Sequence, residues 1–243
     1  MSRVRLDLLA VRAGLAESRE QAQRLIRAGQ IMVGGERADK PGREYPSDAV
    51  LSLRSPPRFV SRGGEKLEEA FRHFDLDVHG RICLDVGAST GGFTDVMLQR
   101  GAARVYAVDV GRGQLHPRLA GDPRVVTMDR FNARHLRPAD LPEPPSFAAV
   151  DVSFISLRLI LPPLFVVLTS PSETVTLIKP QFEAGRDRVG RGGVVRDERV
   201  REDVVRTVRE FGEAAGFLWM GVCRSPLLGP AGNVEYLACW RKP

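Results

Sequence analysis

Residues 81–95 read RICLDVGASTGGFTD. An apolar run from Ile82 to Val86 carries one acidic residue, Asp85, and passes into a Gly/Ser-rich turn. A helix-like stretch, 93–100, follows. Strand, glycine loop and helix in that order let bare backbone N–H groups approach a ligand, because glycine has no Cβ in the way. About twenty residues further on, VYAVDV (105–110) reads as a second strand with Asp109 near its end, where a parallel α/β fold holds a ribose by its hydroxyls.

The pattern repeats outward from there. VVTM (125–128), FAAVDV (147–152) and TVTLIK (174–179) are further strand candidates, with helical stretches near 93–100 and 155–169 among them. Short apolar strands alternating with helices predict a parallel sheet covered on both faces, which binds ligands at the C-terminal strand ends. Asp85, Asp109, Asp129, Asp151 and Lys179 all fall at or just past such ends, a pattern that core packing does not require. Residues 180–203 then break the alternation. They are Gly- and Arg-rich, include Arg186 and Arg191, and are too long for a plain connection. They are expected to form a flexible basic loop that grips a polyanion. A helix near 201–215, a strand within 218–227, a turn at GPAGN (229–233) and a last strand, 235–240, close the chain as a hairpin.

The first 53 residues read as a separate basic module. Apolar residues at helical spacing fill 5–15, and Ser18 with Gln21 makes a capping box for a second helix at 19–28. Arg19, Gln23 and Arg27 share one face of that helix and are expected to present two guanidiniums to a phosphate backbone. The following stretch turns at Gly34–Gly35 as a hairpin does. Residues 54–60, with two prolines, read as a stiff linker, and 61–74 as an amphipathic helix with Lys66 near its start.

Composition agrees with this division. The chain has 243 residues, 43% of them hydrophobic, enough for one sizeable core and a small extra module. Net charge is +6, and residues 1–60 hold eleven Lys/Arg against seven Asp/Glu, so most of the surplus lies in the first quarter. Three cysteines without a CxxC pair and four scattered histidines give no metal-ligand spacing. No run reaches the roughly 18 apolar residues of a membrane span, and no signal-peptide core is present. A cytoplasmic protein without metal is expected.

Two resemblances sharpen the reading. RLDLLAVRAGLAESREQAQRLIRAGQIMVGGERADKPG resembles an S4-type RNA-binding domain, a small α+β module that binds structured RNA. SRGGEKL, DVGASTGGFTD, VYAVDVGRGQL, DVSFISL, LIKPQFEAGR, VGRGGVVRD and GNVEYL stand in the order of the TlyA (haemolysin A) family of ribosomal RNA 2′-O-methyltransferases, within the FtsJ-like group. The resemblance implies an α/β fold: a Rossmann-like, seven-stranded S-adenosylmethionine-dependent methyltransferase domain at 63–243, an S4-type domain at 1–56 and a linker at 57–62. It implies methyl transfer to a cytidine 2′-hydroxyl in ribosomal RNA or ribosomal subunits. Its Lys-Asp-Lys-Glu tetrad falls on Lys66, Asp151, Lys179 and Glu235. Lys179 would take the hydroxyl proton, Lys66 would position the hydroxyl, and the two carboxylates would orient the lysines.

The cofactor residues carried over are Asp85, Gly87, Thr90, Gly91 and Phe93 around the methionine end, Asp109 at the ribose, Asp129 at the adenine, and Asp151. Arg5, Arg19, Arg27, Lys40, Arg186 and Arg191 are the expected RNA contacts. Taken alone, Lys66 would be a surface lysine and Asp151 and Glu235 ordinary strand-end charges. A non-catalytic RNA-binding or ribosome-assembly factor is the alternative reading. A membrane-lytic protein, suggested by the family's older name, finds no spanning segment.

Overall fold

A computed structural model describes residues 2–54 and 58–243. The part of the expected linker at 55–57 lies outside the described residues. The chain divides into two compact units, Met1–Arg58 and Phe59–Pro243.

In the first unit, β1 (Arg3–Arg5) leads into α1 (Leu6–Arg12) and α2 (Arg19–Arg27), followed by β2 (Ile31–Val33), β3 (Glu36–Arg37), β4 (Glu44–Pro46) and β5 (Leu51–Leu53). Ser18 caps α2 by accepting from the Gln21 N–H at 3.2 Å, while Gln21 reaches back to the Glu17 N–H rather than to that of Ser18. Gly34 and Gly35 turn β2 into β3 with φ of +59° and +85°, the left-handed pair a two-residue hairpin needs. A small core of Leu6, Ala10, Ala22, Ile26 and Ile31 holds the unit together.

The second unit runs α3 (Gly63–Phe74), β6 (Ile82–Val86), α4 (Gly92–Gln99), β7 (Arg104–Val108), α5 (Pro117–Ala120), β8 (Val125–Met128), β9 (Phe147–Val150), α6 (Leu161–Val167), β10 (Ser172–Ile178), α7 (Pro180–Glu183), α8 (Glu198–Ala214), β11 (Leu218–Arg224) and β12 (Tyr236–Lys242). Its seven strands stand in the order β11-β12-β10-β9-β6-β7-β8. β12 is antiparallel to both neighbours, β11 and β10, and β10, β9, β6, β7 and β8 run parallel to one another. The helix expected over 155–169 is shorter, because Pro162 and Pro163 occupy its first turn, where alone they are tolerated. A short 3-10 turn, Leu157–Leu159, precedes it.

The sheet is buried on both faces. One face packs Leu84, Val86, Tyr106 and Trp240 against α6 and α8, and the other packs Cys83, Phe147 and Leu237 against α3 and α4. α8 comes so close that a Cβ on Gly212 would sit 2.3 Å from the Trp240 ring. Phe59, expected in the linker, is instead buried against Gly64, and the Val60 N–H donates to Asp95 Oδ2 at 2.8 Å. An aromatic ring at that point has apolar surface to bury, so residues 59–62 belong to the second unit.

The strand order sets the position of the site. From β6 the chain winds outward through β7 and β8, then returns to the other side of β6 for β9 and β10. The crevice past the C-terminal ends of β6 and β9 is therefore the switch point, where such sheets take ligands. Val86 is level with Val108 and Val150 in the register. Gly87, Asp109 and Asp151 consequently leave the sheet side by side.

Candidate active site

The loop after β6 depends on glycine. Gly87 has φ +84°, and a Cβ there would lie 2.3 Å from the Asp151 carbonyl oxygen. Gly91 has φ +93° and packs on Leu115 and Leu119. Gly92, at the start of α4, lies against Ser61 and the Gly64 N–H. Two cavities flank this loop and share Gly87, Ser89 and Asp151 as a common wall. One, of about 470 Å³, is bordered by Ser61, Arg62, Lys66, Thr90, Phe93 and the 227–230 turn. The other, of about 340 Å³, is bordered by Asp109, Gln114, Phe131, Asn132, Ser153 and Phe154. A cradle that only glycine fits, between two chambers, suits an elongated ligand with a nucleoside at one end. Gly87→Ala is expected to weaken cofactor binding at least tenfold, since strain of about 1–3 kcal/mol falls on the loop. Titration calorimetry of the folded variant checks this.

Four charged side chains form two ion pairs beside the cavities. Lys66 Nζ lies 2.6 Å from Glu235 Oε2, and Lys179 Nζ lies 2.6 Å from Asp151 Oδ1. Lys179 also donates to Ser153 Oγ at 2.8 Å. Lys66 and Asp151 border the larger cavity, and their partners stand behind them. Glu235 is 1% exposed, and among the described residues its Oε1 has no hydrogen-bond partner. Such groups are costly to bury. They come from α3, the end of β9, the end of β10 and the start of β12, elements scattered over 169 positions of sequence.

The other expected site residues divide. Asp109 accepts from the Ser89 N–H at 2.8 Å and the Gly111 N–H at 2.7 Å, so its carboxylate is held at the smaller cavity. Thr90 and Phe93 border the larger one. Gly91 supports the loop from behind. Asp85 does not reach a cavity. It is fully buried inside β6 and accepts from the Thr94 N–H at 2.8 Å and the Thr94 hydroxyl at 2.6 Å, tying α4 to the sheet. Burial pushes its carboxyl up to about 7, against those two bonds. Asp129 is exposed, accepts from the Gly113 N–H at 2.8 Å and borders neither cavity.

Sequence reasoning passed over several residues that the cavities recruit: Ser61, Arg62, Gln114, Asn132, Ser153 and Phe154. Ser153 carried a signal, standing two residues past Asp151 at a strand end. Phe154 is 90% exposed with φ +63° and lies 5.1 Å from the Phe182 ring. A large apolar side chain held in solvent by a left-handed backbone is a strained arrangement that packing does not explain.

In the N-terminal unit, Arg27 and Lys40 are exposed. Arg5 and Arg19 are half-exposed and both bind Asp7, which is fully buried. Gln23 donates to the same carboxylate at 2.9 Å. The face expected to offer Arg19 and Gln23 to a phosphate thus turns toward α1. The Arg5 hydrogen bonds, with those of Gln23 and Arg19, hold the Asp7 carboxyl well below the usual carboxylate range, while burial acts the other way. Its lowered folded value contributes stability that is present above about pH 4 and lost as pH falls through that value. Thermal melts between about pH 2 and 6 should show Asp7→Asn with a flatter acid limb than wild type. Arg186 and Arg191 are exposed.

The FtsJ-like methyltransferase profile matches residues 59–242 and the S4 domain profile residues 4–51. The chain belongs to the FtsJ-like methyltransferase family. Within it, the chain is a TlyA-type member with an N-terminal S4 domain. It is 47% identical, over 96% of its length and 88% of the relative's, to the 16S/23S rRNA (cytidine-2′-O)-methyltransferase TlyA of Mycobacterium tuberculosis. It is 42% identical to hemolysin A of Brachyspira hyodysenteriae, over 97% and 98% of the two chains. A solved structure from Streptococcus thermophilus, described as a hemolysin, superposes with a TM-score of 0.77 at 49% identity, covering 100% of this chain and 89% of that one. Among the described residues, no helix of this FtsJ-like protein is long and apolar enough to cross a membrane.

Proposed function

We propose that the protein methylates the 2′-hydroxyl of a cytidine in ribosomal RNA, using S-adenosylmethionine. The observation that carries this reading is the pair of lysine–carboxylate contacts, Lys66–Glu235 and Lys179–Asp151, whose Lys66 and Asp151 border the larger cavity. A ribose hydroxyl is a weak nucleophile until its proton has somewhere to go, and two ordered lysines supply both a proton holder and a positioning cation. Lys179, tied to Asp151 and Ser153, takes the proton after releasing one of its own to solvent. Lys66, tied to Glu235, orients the hydroxyl oxygen. The carboxylates fix each lysine so that little reorganisation is left for the reaction, and positioning supplies much of the rate.

S-adenosylmethionine, when bound, supplies an electrophilic methyl group on a sulfonium. Gly87, Thr90 and Phe93 would hold its methionine end and Asp109 its ribose, while Asp129, which borders neither cavity, is left out of the assignment. The Gly87 cradle and the Asp109 carboxylate at the smaller cavity fit that assignment. Phe154 offers a bare ring beside Asp151 on which a base can stack. Arg27, Lys40, Arg186 and Arg191 are exposed and form no ion pair among the described residues, which suits a phosphate backbone, and Arg5 and Arg19 together outweigh the single Asp7. A ribosomal substrate places the protein in the cytoplasm. Incubation of purified protein with undermethylated ribosomal subunits and labelled S-adenosylmethionine tests the reading. Label is expected in RNA of the wild-type reaction, and none would be seen from a non-catalytic assembly factor.

A further inference from the structure

The turn at 190–194 is held tightly, and by one side chain. Asn233 is 1% exposed and spends its amide entirely on this segment. Its Oδ1 accepts from the Val195 N–H at 2.9 Å, and its Nδ2 donates to the Gly193 carbonyl at 2.8 Å. The turn itself is closed by the Gly190 N–H donating to the Val194 carbonyl at 3.1 Å, with Gly192 and Gly193 at φ +76° and +73°. Val195 is buried in the core beside it. Exposed arginines, Arg188, Arg191, Arg196 and Arg199, stand on and around the turn.

The other end of Asn233 faces the catalytic pair. Its backbone carbonyl accepts from the Gly229 N–H at 2.9 Å. Gly229 lies so close to Glu235 that a Cβ there would come within 2.6 Å of Oε1. Glu235, two residues on from Asn233, holds Lys66. An amide with both donor and acceptor matched to backbone groups fixes a distance and an angle that a hydrophobic contact would leave loose.

We propose that Asn233 is a positioning residue that holds the arginine-bearing turn and the Glu235–Lys66 pair in one fixed arrangement. The partner this arrangement serves is an RNA phosphate backbone gripped at the turn while its ribose lies at the pair. The inference rests on the function proposed above.

Two readouts test it on the full-length protein, one of them independent of activity. Limited tryptic digestion reports cleavage after Arg191 and Arg196, which is expected to be markedly faster in Asn233→Ala than in wild type. Steady-state kinetics with saturating RNA should show kcat lowered about 100-fold, the loss that a shift of about 1 Å at a reacting group can cause, with the dissociation constant for S-adenosylmethionine unchanged. Asn233→Asp, which keeps the acceptor for Val195 but sets a carboxylate against the Gly193 carbonyl, should fall in the same direction and covers the case in which the alanine variant does not fold. Thermal melting confirms that each variant is native. Wild-type kcat, or wild-type tryptic cleavage, in both folded variants would overturn the proposal. Should wild-type protein transfer no methyl to RNA, the functional reading fails, and the tryptic rates still decide whether Asn233 holds the turn.

Discussion

Lys179→Ala is expected to lower kcat for methyl transfer by about 10²–10⁴-fold, the range supplied by a positioned proton acceptor. The lysine sits past the end of β10, where the parallel strands discharge into the switch-point crevice. It is 8% exposed and is tied both to Asp151 and to Ser153. It borders neither cavity wall itself, so truncation removes the proton holder without reshaping the glycine cradle. Binding of S-adenosylmethionine, followed by calorimetry, should therefore persist in the variant. Single-turnover assays separate the chemical step from product release, and Lys179→Arg should stay inactive, because a guanidinium keeps its proton near neutral pH. A Lys179→Ala protein with wild-type kcat would remove the lysine from the proton's path.

Glu235→Ala is the second large effect, and it acts on stability as well as on rate. Glu235 is 1% exposed, and the Lys66 side chain retains 12% of its exposure. Removing the carboxylate leaves the Lys66 ammonium in a nearly dry wall without its ion-pair partner. Breaking one side of a buried pair costs about 3 kcal/mol, which for a unit of this size lowers Tm by roughly 6–12 °C. Lys66 would then be free to swing, and kcat should fall by about 100-fold through lost positioning. Glu235→Gln, which keeps the shape and one acceptor, should recover part of the stability and little of the rate. A variant with native Tm and native kcat would show that the pair neither holds the fold nor orients the lysine.

Much of this was legible in the sequence, and the failures have a common cause. Strands followed by acidic residues revealed the parallel sheet, and the glycine turn revealed the switch point. Asp109, Asp151 and Lys179 stand one residue beyond Val108, Val150 and Ile178, so their side chains leave the sheet edge. Asp85 looks the same in a linear reading but stands two residues earlier, inside its strand. It pairs in register with Ala107 and Ala149 and points into the sheet's packing face. What sets it apart is depth in the sheet, where Thr94 of α4 covers it, and no composition argument detects that. The helical face of Arg19, Gln23 and Arg27 was readable, but its direction depended on Asp7, a carboxylate twelve residues earlier whose burial only the packed unit reveals. Asn233 was hidden for the same reason, since its partners are backbone groups 38 and 40 positions away. Contacts to backbone carry no residue-type signal.

The most direct test is the chemical identity of the product. Wild-type protein, unmethylated ribosomal subunits and S-adenosylmethionine should yield RNA in which mass spectrometry of nucleosides finds 2′-O-methylcytidine above the level in untreated subunits. Methyl on a cytosine ring, or no RNA methylation while the cofactor binds, would contradict a site built from Lys66, Asp151, Lys179 and Glu235 to activate a ribose hydroxyl.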